Sequence, residues 1–258
     1  MYSLSSFMNK EILGYARELA YWSFGTIRRH SPKEKFVVFG RGRSGSTLLV
    51  DLINEHPRVH CVGEILNRKV ISPAAMVRSC SRMHAEPVFG FKLLSYQLRS
   101  VLGLNRPKEL LQRLVEDEGY KMIYLTRENL LRQTSSKHYA AHRGGWHERS
   151  EKVERTKMTV DIPLLIQHLK EGETLGRFEQ EMIADFDHLP LTYERNLSDE
   201  EAQGQTINAL CNLLGIESIQ ASSKLKKIAP RSFEEFVENA DEMVRAIEKT
   251  PFAIHLNS

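Results

Sequence analysis

Cysteine is scarce in this chain: three residues, Cys61, Cys80 and Cys211, in 258. They form no C-x-x-C pair and no Cys/His cluster. That signals neither a zinc site nor a disulfide framework, and leaves free thiols of a reducing compartment as the expectation. Long apolar runs are missing too, since no stretch approaches the roughly 20 residues a membrane span requires. Met1 to Met8 lacks a basic start, and Lys10, Glu11, Arg17 and Glu18 interrupt any apolar core. No signal peptide is therefore expected, and a cytoplasmic location follows, with peripheral membrane contact through 8–30 as a variant of it. Charge of one sign is also in short supply. The formal net charge is +3, enough for local anion clefts but no case for nucleic acid as a partner. There is no internal repeat and no low-complexity segment.

What the chain does have is a glycine-rich turn between a strand and a helix, in Phe36 to Pro57. Phe36-Val37-Val38-Phe39 reads as a buried strand, and Gly40-Arg41-Gly42-Arg43-Ser44-Gly45-Ser46-Thr47 breaks it. Leu48, Leu49, Leu52 and Ile53 then recur at helical spacing up to His56-Pro57. Such a turn lets successive amide N–H groups converge on an anion, with the positive end of the helix dipole behind them. The nucleoside-triphosphate pattern G-x-x-x-x-G-K-[ST] is met at Gly40, Gly45 and Thr47, but Ser46 stands in the lysine position. That lysine reaches the β- and γ-phosphates. Its loss, with Arg43 inside the loop and Arg41 nearby, points to a different phosphate and to an arginine beside the reacting group.

Along the rest of the chain, strands near 36, 59, 88, 121 and 189 alternate with helical patterns. A parallel sheet covered on both faces is the predicted fold class, α/β with three layers. The predicted domains are an amphipathic helix and linker over 1–34 and one α/β unit over 35–258. Within 8–28, Ile12, Tyr15, Leu19 and Trp22 form the apolar stripe. Asp161 and Pro163 open a long helix, Ser198 with Glu201 predicts a capping box for a helix closed by Gly215, and Ser232 with Glu235 predicts another. The charged stretch 143–157, with Trp146 inside it, reads either as a lid or acceptor loop or as a surface loop with one anchored tryptophan.

Arg43-Ser44-Gly45-Ser46-Thr47-Leu48-Leu49 resembles the 5′-phosphosulfate loop of sulfotransferases that use 3′-phosphoadenosine 5′-phosphosulfate (PAPS). With Asn54-Glu55-His56-Pro57 and Gly63-Glu64-Ile65-Leu66-Asn67, the likeness is to the bacterial carbohydrate and glycolipid branch, the nodulation-factor and trehalose sulfotransferases. Thr126-Arg127-Glu128-Asn129 to Thr134-Ser135 resembles the family's 3′-phosphate motif, an arginine and a serine eight residues apart. The resemblance implies a P-loop-type sheet of about five strands in the order 2-1-3-4-5. It implies PAPS as donor, PAP as product, no metal, and a carbohydrate or glycolipid acceptor. It also implies cofactor binding by Arg43, Ser44, Gly45, Ser46, Thr47, Arg127 and Ser135. Arg43 would serve the leaving group and Lys92 the sulfonate. Glu64 is the candidate base, with His56 and His60 as rivals. Lys227 or Arg231 would stand in for a late basic segment that closes over the 3′-phosphate. Two other classes stay open on the residues alone: an atypical kinase using ATP, Mg²⁺ and a lysine such as Lys92, and a non-catalytic nucleotide-binding or scaffold protein.

Overall fold

The structure, a computed structural model, describes residues 18–23, 25, 30–144, 156–223 and 232–256. Trp146, Lys227 and Arg231 lie outside the described residues, and with them the readings placed on the charged loop and on the late basic segment.

Five strands form one parallel sheet: β1 (Glu34–Gly40), β2 (Val59–Glu64), β3 (Val88–Leu94), β4 (Tyr120–Thr126) and β5 (His188–Thr192). Every one falls where the apolar runs predict a strand. β3 is buried at all seven positions, as a central parallel strand covered on both faces must be. β2 and β5 carry His60, Glu64 and His188 and form the two edges.

The spatial order is β2-β3-β1-β4-β5. Compared with the expected 2-1-3-4-5, β1 and β3 have exchanged places, so β1 pairs with β4 and β2 with β3. β4 approaches closely at Gly40. A Cβ there would come within 2.1 Å of the Leu125 carbonyl oxygen of β4, so the glycine is what admits β4 alongside the end of β1. On the other flank, Gly90 of β3 leaves room for the Phe36 ring, which a Cβ would meet at 2.2 Å. The exchange moves Arg127, just past β4, next to the glycine turn. It moves Glu64, at the end of β2, one strand further away.

Helices cover both faces. On one side α1 (Ser46–Ile53) and a later helix, α7 (Glu200–Leu214), enclose a core with Phe36, Val38, Ile123 and Leu125. On the other, α2 (Pro73–Ser81), α3 (Pro107–Gln112) and a π-helical turn at Arg113–Asp117 pack on Val37, Phe39, Phe89, Phe91 and Met122. α4 (Leu130–His142), α5 (Ile162–Ile183) and α8 (Ala240–Ile247) share a third core around Tyr139, Leu165 and Phe236. α6 (Tyr193–Asn196) is a single turn after β5.

Two caps differ from the sequence pattern. The N-cap of α7 is Asp199, whose carboxylate accepts from Ala202 N, rather than Ser198, because Asp199 has the extended backbone that a cap requires. Gly215 ends that helix in the left-handed conformation, as predicted. Ser232 N does donate to Glu235 at 3.3 Å, but the box closes a turn; the next helix begins only at Ala240. Asp161 caps α5, accepting from Leu164 N at 3.0 Å.

Residues 18–23 are helical. Glu18 accepts hydrogen bonds from Ile71 N and Ser72 N at the start of α2, and Tyr21 joins the sheet core. Leu19, on the predicted apolar stripe, is 54% exposed, so the packed face is turned toward Glu18 and Tyr21 instead.

Candidate active site

The glycine turn is held from several sides. Gly45 has φ 88 and a Cβ there would meet the Tyr193 ring at 2.6 Å, so only glycine fits. Among the described residues, Arg43 is the one non-glycine with positive φ, at 64. That conformation costs an L-residue roughly 1–2 kcal/mol. Gln133 Nε2 donates to the Gly42 carbonyl at 2.9 Å, and Ser44 Oγ donates to the Arg41 carbonyl at 2.7 Å. Arg41 reaches back into α5: Nη1 donates to the Gly172 carbonyl at 2.7 Å, and Nε lies 3.1 Å from Glu179 Oε2. Glu179 is fully buried and also accepts from Ser95 Oγ at 2.5 Å and Tyr124 Oη at 3.1 Å. Burial pushes its carboxyl up, while Arg41, Ser95 and Tyr124 hold it back.

Two guanidiniums stand at the mouth of the turn. Arg43 donates through Nε and Nη2 to Ser136 Oγ, at 3.2 and 3.0 Å. Arg127 Nη1 donates to the Arg43 carbonyl at 3.2 Å. Its plane lies over the Tyr193 ring at 4.7 Å, and Nε is 3.5 Å from Glu194 Oε1. Desolvation lowers the pKa of both; Arg43 is lowered further by the neighbouring Arg127, and Arg127 is partly restored by Tyr193 and Glu194. Glu194 also accepts from Glu128 N and Asn129 N, which fixes the start of α4.

Around the turn, Arg41 Nε, Arg127 Nε, Gln133 Oε1 and Ser135 Oγ are buried without a hydrogen bond, and of these the two arginine nitrogens face the carboxylates of Glu179 and Glu194. A buried hydroxyl left unpaired costs about 1–3 kcal/mol. Ser135, predicted from the motif together with Arg127, is therefore under-satisfied in a way that an added acceptor oxygen would correct. Ser136, one residue on, is the partner of Arg43. Sequence reasoning passed over it, as it did Gln133. The two are three apart on α4 and so share a face. A reading of that face toward the loop would have found both.

On the other flank, Lys92 Nζ lies between Thr47 Oγ1 at 3.1 Å and Glu64 Oε1 at 3.2 Å. Gln97 Nε2 donates to Glu64 Oε2 at 2.8 Å and its Oε1 accepts from Leu94 N, so the carboxylate is tethered to the end of β3. The cation facing Glu64 is thus Lys92. The Lys92 side chain is 7% exposed and that of Glu64 25%, which leaves the carboxylate the outer member of the pair.

The rival bases fall away from this cluster. His56 is buried; Nε2 lies 2.9 Å from the Glu217 carbonyl and Nδ1 accepts from Arg58 N at 3.1 Å, so both ring nitrogens are engaged in holding the end of α1. His60 is near the beginning of β2, where it pairs with Phe89, while Glu64 pairs with Lys92. The two ends of that strand are roughly 13 Å apart at about 3.3 Å per residue.

The fold and this site together define a three-layer α/β protein with a glycine turn leading into a helix N-terminus and arginines on two adjoining strand ends. Among known proteins, neither a family model nor a curated sequence matches the chain. A solved structure that it is similar to is a sulfotransferase from Alicyclobacillus acidocaldarius, with TM-score 0.48 and 13% identity, covering 85% of this chain and 95% of that one.

Proposed function

We propose that this protein is a sulfotransferase that takes the sulfuryl group of PAPS to a hydroxyl of a carbohydrate or glycolipid acceptor. The observation that carries the reading is the pairing of Arg43 with Arg127. Two largely buried guanidiniums, with Arg127 Nη1 3.2 Å from the Arg43 carbonyl, converge on the mouth of the glycine turn, where their planar donor forks suit an anion. PAPS brings a phosphate at each end. The loop amides, whose first helical N–H groups have no intrahelical acceptor, and the hydroxyls of Ser46 and Thr47 would receive the 5′-phosphosulfate. Arg127 and Ser135 would receive the 3′-phosphate.

In the transfer, the bond from sulfur to the phosphate oxygen breaks while the acceptor oxygen bonds to sulfur. The electron pair stays on the phosphate oxygen of PAP, where Arg43 and the loop amides stabilise it. Lys92 donates to a sulfonate oxygen. Glu64 takes the acceptor proton; with one oxygen on Lys92 and the other on Gln97, a carboxylate still has lone pairs to spare. Its greater exposure puts it on the side from which a large, soluble acceptor would arrive.

The kinase alternative needs Mg²⁺ on the loop threonine. Lys92 Nζ stands 3.1 Å from that hydroxyl, a cation already in the metal's place, and this favours sulfuryl transfer. Calorimetric titration of PAP against ATP with Mg²⁺ tests the reading. Micromolar or tighter PAP binding with weak ATP binding is expected, followed by transfer of labelled sulfate from PAPS in a glycan screen. Preference for ATP and Mg²⁺ would overturn it.

A further inference from the structure

At the rim opposite the glycine turn, His60, His84 and Glu86 come together. His60 is the second residue of β2, while His84 and Glu86 lie in the connection from α2 to β3. One donor atom from each lies within 4.8 Å of the other two. The His60 and His84 rings stack with centroids 3.8 Å apart, and His60 Nδ1 is 4.0 Å from Glu86 Oε1. His84 also stacks on Phe89 at 5.7 Å, and Phe89 is the residue that faces His60 across the sheet. Both rings therefore rest on the first residues of two paired strands, a rigid base. The backbone that carries Glu86 is held as well, its carbonyl lying 3.3 Å from His30 Nε2. The side chains of His60 and Glu86 are each 36% exposed, so an ion from solvent reaches them.

We propose that His60, His84 and Glu86 bind a divalent transition-metal ion, zinc or a close neighbour, at a site separate from the anion site. Two imidazoles and a carboxylate are a donor set that zinc takes readily, with water completing a tetrahedron. Bonds of about 2.0–2.2 Å bring the donor atoms to roughly 3.3 Å from one another. The cluster contracts to that spacing by side-chain rotation, with the two rings tilting out of their stack so that a nitrogen of each faces the ion. Half-exposed side chains have the room to do so. The ion would join β2 to the connection before β3, at the sheet edge where β2 has a neighbour on one side only. It would take no part in group transfer, because His60 and Glu64 are at opposite ends of β2.

The test uses the full chain without an affinity tag, stripped of metal by chelation and dialysis, then titrated with zinc chloride calorimetrically and with Co²⁺ by visible absorption. Saturable zinc binding at one ion per site, a Tm that climbs with zinc concentration, and the absorption of cobalt in nitrogen and oxygen ligation are expected. Loss of an outer-shell partner alone typically weakens metal sites about 10- to 100-fold, so His60→Ala and Glu86→Gln should each weaken zinc binding by at least about tenfold. Glu86→Gln changes a half-exposed side chain and keeps the fold, which guards against a misfolded His60→Ala. His138→Ala, which disrupts the unrelated His138–His168 pair, should bind zinc like the wild type. Absence of stoichiometric zinc binding in the wild type, wild-type affinity in both site variants, or loss of binding in His138→Ala instead would each overturn the proposal.

Discussion

Lys92 Nζ lies 3.1 Å from Thr47 Oγ1, an ammonium on the hydroxyl that a nucleoside-triphosphate loop would give to Mg²⁺. The expected outcome is transfer from PAPS that is unchanged by EDTA. Lys92→Met, which keeps the length of the side chain but removes its charge, should lower turnover. Initial rates with and without chelator, for both proteins, check this. A strict Mg²⁺ requirement would contradict it.

Arg127 and Ser135 predict discrimination for the 3′-phosphate. PAP should bind more tightly than AMP by about 10- to 150-fold, the worth of a charge-assisted contact of roughly 1.5–3 kcal/mol. Arg127→Ala should erase most of the difference. Titration of both nucleotides against both proteins measures it; equal affinities in the wild type would remove Arg127 from the donor site.

Glu64→Gln should keep PAP affinity and lower turnover by about 10²–10⁴-fold, the usual contribution of a general base. Glutamine can still accept from Gln97 but pairs poorly with Lys92, so the thermal stability of the variant has to be measured alongside. Near-wild-type turnover would show that the proton leaves by another route.

The Arg41–Glu179 pair ties the glycine turn to α5, and Glu179 has no exposed surface. Removing one member of a buried pair typically costs about 3–5 kcal/mol because the other charge is left uncompensated. Glu179→Ala should therefore unfold at markedly lower denaturant concentration, and the surviving folded protein should bind PAP less tightly. Chemical denaturation and nucleotide titration read the two effects.

A pH effect is expected from α4 and α5. His138 Nε2 is 2.8 Å from His168 Nδ1, and burial, then His168 and Lys137, lower the His138 pKa below its ordinary 6.5. A group lowered on folding favours its neutral form in the native state. Its contribution is complete above pH 6.5 and is lost as pH falls from 6.5 toward the folded value. Tm of the wild type should drop between about pH 7 and about pH 5 more than that of His138→Gln, which cannot take up the proton. Parallel curves for the two would refute this.

The sequence made the strands, the turn and most helix ends readable because each depends on local pattern: apolar runs, glycines, an aspartate before a helix. The sheet order was not readable in that way. Both orders place β2 and β5 at the edges, so burial patterns cannot separate them. One contact that goes with β4 lying beside β1, Gly40 against the Leu125 carbonyl, joins residues 85 positions apart in sequence. The site divides along the same line. Arg43, Thr47 and Arg127 stood out through spacing. Arg41–Glu179, Arg43–Ser136 and Lys92–Thr47 are long-range pairs, and no local pattern announces them. His60 stood as a rival to Glu64 until register put it at the far end of the strand.

The exchanged order of β1 and β3 also divides labour in the sheet. The anion-facing arginines follow β1 and β4, which share a ladder of hydrogen bonds with each other and none with β2. On the proposed reading, the acceptor is met at the end of β2, beyond β3, where the strand is bulged between Val62 and Glu64 and open on one side. Substitutions at that edge would then reshape the proposed acceptor cleft without disturbing the proposed donor pocket. On that reading, a lineage built on this sheet would be free to change its acceptor while keeping its donor.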